Sequence, residues 1–311
     1  AASMTCTLTT GGYGISAELA RRMAAAGLQQ VSVSLDGLEN THDRLRGRPG
    51  SHRFALRSLA HLRDAGLPVA CNSQINRLSA PELPLLYEQL RAAGARAWQL
   101  QLTVPMGEAA DRPELLLQPC ELLDLYPVLA ELAGWARRDG LLLLAGNNIG
   151  YYGPYERLLR GHGHPQGFWR GCQAGLRTLG LEADGTIKGC PSLPTTPYAA
   201  GNLRERRLPQ LLEQAPALRI NVEEGAPRWG FCQGCEHGPL CRGGCHWTAH
   251  VFFGRRGNNP YCHHRALTLA AAGRRERLVR RERAPGAPFD HGEFALIEEP
   301  LAPPWPIEDE P

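Results

Sequence analysis

The chain lacks the features that would tie it to a membrane. No apolar segment approaches the length needed to span a bilayer, and Leu141 to Ala145 is far too short and reads as a buried strand. No charged segment followed by an apolar one reads as a secretory signal, so the expected compartment is the cytoplasm. An excess of charge is lacking too: 34 Lys and Arg stand against 31 Asp and Glu, a formal net charge of +3. Nothing electrostatic argues for nucleic acid or an anionic membrane as partner. There are no internal repeats. Gly11-Gly12-Tyr13-Gly14 has neither dinucleotide spacing nor the lysine of a phosphate-binding loop. His246 and His250 stand four apart as on a zinc-protease helix, but Trp247 occupies the place of the required glutamate.

What is present suits a soluble protein. The 311 residues are 43% hydrophobic and 21% charged, enough for one large domain or two ordinary ones. The first hundred residues alternate strand and helix. Strands are predicted at Thr5 to Thr10, Val31 to Leu35, Pro68 to Ile75 and Trp98 to Val104. Helices are predicted at Ser16 to Ala26, Phe54 to Ala65 and from the cap Ser79 to Ala93, each closed by a glycine. That order implies a parallel sheet with right-handed crossovers, and in such sheets chemistry sits at the carboxyl ends of the strands. Those ends carry Thr9 and Thr10, Ser34 and Asp36, Asn72 and Asn76, Gln99 and Gln101. A long helix follows from Pro119 to Arg138, and Tyr151 to His164 reads as an aromatic, glycine-rich linker, whose Tyr151, Tyr152 and Tyr155 either pack on the barrel or line a substrate groove. Arg274, Arg275, Arg277, Arg280, Arg281 and Arg283 read as a helix with a solvated face, with binding of a leader peptide as the alternative. After Pro285 the tail reads as mobile, with five prolines from Pro300 onward.

Ten cysteines in a reducing compartment point to metal or redox chemistry rather than disulfides. Seven fall in three groups. Cys172 is followed by twelve residues, Gly185, four residues and Cys190; Cys232, Cys235, Cys241 and Cys245 are separated by two, five and three residues; Cys262 stands alone. Thiolates bind iron and zinc strongly, and glycines among them let amide hydrogens turn toward sulfur. A pair of zinc ribbons is the alternative, but only Cys232 and Cys235 form a zinc knuckle, and seven is an awkward number for two such sites. Cys6, Cys71 and Cys120 read as small buried residues.

The spacing resembles the seven-cysteine signature of the SPASM domain, the auxiliary-cluster domain of radical SAM peptide-modifying enzymes. Gly171-Cys172-Gln173-Ala174-Gly175, Gly189-Cys190-Pro191, Gly201-Asn202-Leu203 and Cys241-Arg242-Gly243-Gly244-Cys245 resemble its words as well. Upstream, Val31 to Gly37 with His42-Asp43 and Arg46-Gly47 resembles the fourth-strand segment of the radical SAM barrel. Thr9-Thr10-Gly11 resembles the third-strand turn, with Thr10 replacing asparagine, while Asn72 to Arg77 and Gln99 to Ala109 resemble the fifth and sixth.

The resemblance implies an α/β fold: a partial (β/α)6 barrel lacking its first strands, then a small Cys/Gly-rich SPASM domain. The expected division is a barrel portion at 1–115, a helix and linker at 116–167, the SPASM domain at 168–272, and a basic helix with a Pro-rich acidic tail at 273–311. Cys232, Cys235, Cys241 and Cys262 would hold an outer 4Fe–4S cluster, and Cys172, Cys190 and Cys245 an inner one whose fourth ligand is Cys120, a histidine or an open position. Ser34, Asp36 and Arg46 would contact S-adenosylmethionine. The activity implied is hydrogen abstraction by a 5′-deoxyadenosyl radical from a ribosomally made precursor peptide or protein, giving a crosslink or oxidation, with an external electron donor. The family's Cys-x3-Cys-x2-Cys occurs nowhere in these residues, so the expectation is a truncated piece that cannot by itself cleave S-adenosylmethionine. A non-catalytic electron-transfer or scaffold homologue and a zinc-stabilised interaction module are the rival readings.

Overall fold

The computed structural model describes residues 4–161, 167–221, 227–287 and 290–302. The chain divides into two units, one of residues 1–103, 124–149 and 158–163, the other of 104–123, 150–157 and 164–311.

In the first unit, alternation of side chains decides which way each strand faces. Strands β1 (Thr7–Thr10), β2 (Gln30–Ser34), β3 (Val69–Ile75), β4 (Ala97–Leu102) and β5 (Leu142–Ala145) form one sheet in sequence order, every pair parallel. Between them run α1 (Ala17–Ala25), α2 (Glu39–Leu45), α3 (Ser51–Asp64), α4 (Leu83–Ala92) and α5 (Leu122–Asp139). Val31 and Val33, Cys71 and Ile75, Trp98, Leu100 and Leu102 are fully buried on one face. The opposite face carries Gln30, Ser32, Ser34, Asn72, Gln74, Gln99 and Gln101, all half-buried. Parallel sheets are normally apolar on both faces, because both are covered. Here one face is polar, and it lines a cavity of about 160 Å³ with Thr9, Ser32, Asn72 and Gln99 on its wall.

The α/β class and parallel sheet stand as the sequence led one to expect, with two refinements. The buried strand expected at Leu141 to Ala145 is present as β5 and joins the sheet, but Leu142 in it is 46% exposed, because β5 lies at the sheet edge. The pattern also gave no sign of α2. Its start is capped from far away: Glu82 accepts the Leu38 amide at 2.8 Å and the Thr41 hydroxyl at 2.7 Å.

The second unit has little regular structure. A three-stranded antiparallel sheet joins β6 (Gly180–Leu181), β7 (Thr186–Lys188) and β8 (Ala199–Asn202). Helices His246–Phe253 and His263–Ala271 follow. The arginine-rich stretch expected as a helix is instead strand β9 (Arg274–Glu282), antiparallel to β10 (Glu293–Pro300), part of the tail expected to be mobile. The reason is charge alternation: Arg275 and Arg277 both reach Glu299, at 2.5 and 3.2 Å, and Arg274 reaches Glu298 at 2.9 Å, so each strand supplies the other's counter-charges. The tail from 303 to 311 lies outside the described residues.

Candidate metal centre

Two places gather the residues singled out by the sequence. The first lies at the carboxyl end of β2. Ser34 is its last residue and shares the polar face with Ser32. Asp36, just beyond, is buried, and its carboxylate takes the Arg46 guanidinium at 2.6 Å and the Gln74 amide at 3.0 Å. The Asp36 amide in turn donates to His42 Nδ1 at 3.0 Å, which fixes the tautomer with hydrogen on Nε2. Burial pushes His42 down to about 4; Asp36 opposes that, and Arg46 and His52 add to it. Asp36 and Arg46 are therefore brought together as a pair, and the half-exposed Arg46 is the member that solvent can reach.

The second place belongs to the other unit. All seven cysteines are free thiols, and Cys232, Cys241, Cys245 and Cys262 are buried. Burial raises these four thiols, other thiols add to it, and at Cys232 and Cys262 the nearby Arg265 opposes it. Cys241 feels Cys262, Cys232 and Cys235; Cys262, pushed up to about 12, feels Cys232 and Cys235. Separately, Cys245 is pushed up to about 12 by burial, with Cys172 and Cys190 adding, and Cys172 also feels Cys190. These interactions run among Cys232, Cys235, Cys241 and Cys262, and separately among Cys172, Cys190 and Cys245. Amide hydrogens aim at them: Asn259 at Cys232, Gly244 at Cys241, Arg265 at Cys262, Ala174 and His246 at Cys172, and Thr248 at Cys245.

Glycine makes these turns possible. A Cβ on Gly175, whose amide donates to Thr178 and Gly189 carbonyls, would sit 2.1 Å from the Leu218 carbonyl. One on Gly243, at φ +79°, would collide with Gly257 backbone at 2.6 Å. As thiolates these sulfurs would repel one another in a desolvated site, so their charge calls for a bound cation, and a thiolate set with amide hydrogens turned toward it suits iron held as sulfide clusters. The residues fit that group.

The set of three has no fourth thiol. Cys120 sits elsewhere, with its sulfur 4.0 Å from Arg275. His246 adjoins Cys245, is 1% exposed, and neither of its ring nitrogens has a hydrogen-bond partner among the described residues.

Several residues of this region were given no role beside the thiols by the sequence. Tyr151, read as part of a linker, is buried, and its hydroxyl accepts the Cys245 amide and the Asn259 side chain, each at 3.2 Å. Trp169 packs edge-on against it and donates to the Cys241 carbonyl at 3.2 Å. Arg265, 2% exposed, pairs with Glu276 and lends positive potential to Cys262 and Cys232. Lys188, the only lysine in the chain, is fully buried beside Cys190 in sequence and pairs with Glu182 at 2.6 Å. Isolated aromatic and charged residues have no spacing rule, so only the fold reveals them. No helix among the described residues is long and apolar enough to cross a membrane.

Comparison with known proteins places these features in context. The sequence model of the radical SAM superfamily matches residues 1–76. An AdoMet-dependent heme synthase of Nitratidesulfovibrio vulgaris is 27% identical over 272 residues, covering 83% of this chain and 71% of that protein. The mycofactocin maturase MftC of Mycobacterium ulcerans is 30% identical, covering 82% of this chain and 66% of that protein. Among solved structures, native anSMEcpe with bound AdoMet and Kp18Cys peptide superposes with a TM-score of 0.63 at 15% identity, over 85% of this chain and 72% of that one. That likeness is one of fold.

Proposed function

The chain belongs to the radical SAM superfamily, and from that premise we propose that it acts in an enzyme modifying a ribosomally made peptide or protein. Bound S-adenosylmethionine, cleaved at a reduced 4Fe–4S cluster, would supply a hydrogen-abstracting 5′-deoxyadenosyl radical. These 311 residues contain no Cys-x3-Cys-x2-Cys and so do not themselves hold that first cluster. What they do hold are two auxiliary sites of SPASM type. Cys232, Cys235, Cys241 and Cys262 form the outer one. Cys172, Cys190 and Cys245 form the inner, where His246 is the buried donor at hand. The convergence of seven free thiols into these two sets, with amide hydrogens aimed at sulfur, carries the reading. At the polar face, Arg46 would take the carboxylate of S-adenosylmethionine while Asp36 fixes its guanidinium, and Ser34 would offer a hydroxyl to the ribose or amino group.

The mycofactocin maturase and the peptide-bound anSMEcpe support a peptide as substrate. The heme synthases support a second reading, a tetrapyrrole side chain. Anaerobic purification tests the first step: two clusters predict about eight iron and eight sulfide per chain. Zinc alone would leave an interaction module. Binding then separates substrates, since the true class alone should perturb the cluster's optical and EPR spectra. A longer polypeptide that includes the three-cysteine motif and receives electrons from an external donor should release 5′-deoxyadenosine. One that does not would be an electron-transfer or scaffold protein.

A further inference from the structure

Apart from the thiols, three side chains bring donor atoms together: Glu236, His237 and His264 each place one within 4.8 Å of the others. They come from segments far apart in sequence. Glu236 and His237 directly follow Cys235, and His264 stands two residues after Cys262. The two imidazoles meet edge to face, with centroids 4.6 Å apart and planes at 68°. Both rings are held from behind. Tyr152 stacks on His237 at 4.2 Å and 13°, Phe231 lies edge-on to His264 at 6.1 Å, and the His264 amide donates to the Tyr151 carbonyl at 3.1 Å. Both histidines are half-buried, whereas the Glu236 side chain is 77% exposed and free to swing onto a cation.

We propose that Glu236, His237 and His264 bind a single divalent transition ion of the zinc class. Two imidazoles and a carboxylate are the donors such an ion takes at about 2.0–2.2 Å, leaving a fourth tetrahedral position for water. Calcium and magnesium call for oxygen donors, and this group has no thiolate to recruit iron–sulfur chemistry. The ring positions are set by packing before any ion arrives, so little side-chain freedom is lost on binding. The ion would tie the segment after Cys235 to the segment after Cys262. Both segments carry thiols of the outer set, so the metal acts as a brace across it.

The test uses the whole chain, purified anaerobically with its iron counted, then equilibrated with zinc chloride and freed of excess by gel filtration. Elemental analysis and the zinc K-edge spectrum are read together. The expected result is a single zinc beyond the iron, coordinated by nitrogen and oxygen only. Zinc should be lost in His237→Gln and His264→Gln with iron content unchanged, and weakened in Glu236→Gln. Zinc-loaded protein should also release iron to a chelator more slowly than zinc-free protein. A wild-type chain that retains no zinc overturns the proposal, as does sulfur in the zinc shell or full retention by His264→Gln. Protein that arrives without iron defeats the cluster reading, not this one, because the zinc edge still reports which donors hold the ion.

Discussion

The two units of this molecule are built on opposite principles. In the first, the interior is Val31, Val33, Leu35, Leu59, Leu62, Trp98, Leu100 and Leu102, and each strand pairs with the next in sequence. In the second, the buried positions include four thiols, Lys188, Arg265, Glu276, Glu299, Asn258, Asn259 and His246. Apolar burial dominates the first, at about 25 cal/mol per Å² removed from water, with buried polar groups such as Asp36 and His42 each partnered. The second buries groups that water would solvate well, which is favourable only when each finds a partner. For the thiols among them, the partner that fits is iron. The first unit is therefore expected to fold on its sequence, and the second on its sequence plus metal.

Removing the metal should expose this difference most sharply. Stripping iron with an acidic chelator step and returning to neutral pH should leave amides of β2, β3 and β4 slow to exchange with deuterium. Amides around Cys172, Gly244 and Cys262 should exchange fast. Equal protection of both regions would show that the second unit has a self-sufficient core and that the contrast is mistaken.

A second experiment stays inside the second unit. Arg265 lies between Glu276 on β9 and the outer thiols. Arg265→Met should destabilise this unit by about 3–5 kcal/mol, because it leaves Glu276 buried and unpaired. The double change Arg265→Met with Glu276→Leu should recover most of that loss. The residual difference, read as a fall in the outer cluster's reduction potential, measures what the guanidinium gives the thiolates. Denaturant titration of both variants, followed by the cluster's absorbance, checks the pair.

The contrast also explains what could be read in advance. In the first unit, β2, β3 and α3 were legible because apolar residues recur at strand or helix period. The seven thiols stood out by their spacing and by their resemblance to the SPASM signature, since a cluster needs fixed donors in short turns. Hidden were the features that depend on partners distant in sequence. β9 looked helical until Glu298 and Glu299 were seen opposite its arginines. Tyr151 looked like linker until its hydroxyl was found between Cys245 and Asn259. Asp36 stood out at the end of β2 as a contact for S-adenosylmethionine, but nothing in the sequence showed that its carboxylate would also hold Arg46 and the Gln74 amide.

Acid should probe the first unit next. His42 is neutral when folded, at about 4, against an ordinary value of 6.5, chiefly because it is buried. The unfolded chain takes a proton below 6.5 and the folded one does not, so the stability is complete above 6.5. It is lost as pH falls from 6.5 through 4, by at most about 3 kcal/mol. Asp36, Arg46, His52 and Asp43 all face the ring, and the acids among them soften the loss. His42→Asn should flatten the pH dependence of the first unit's unfolding midpoint over that window; an unchanged slope would place the titration elsewhere.

The smallest effect on stability tests how the ligand end of β2 is held. Glu82 caps α2 across 44 residues, and α2 carries His42 while Arg46 closes its carboxyl end. Removing the cap with Glu82→Ala should cost only about 1 kcal/mol, as losing one N-terminal acceptor does elsewhere. Its consequence for binding should be larger than its consequence for folding, because Arg46 reaches Asp36 from the end of the helix that Glu82 fixes. If Arg46 takes the carboxylate of S-adenosylmethionine, Glu82→Ala weakens that ligand severalfold while leaving the unfolding midpoint almost in place. Equal losses in both would mean that α2 is a packing element and that Arg46 does not depend on it for position. Calorimetric titration of the ligand alongside thermal unfolding of the same variant decides between them.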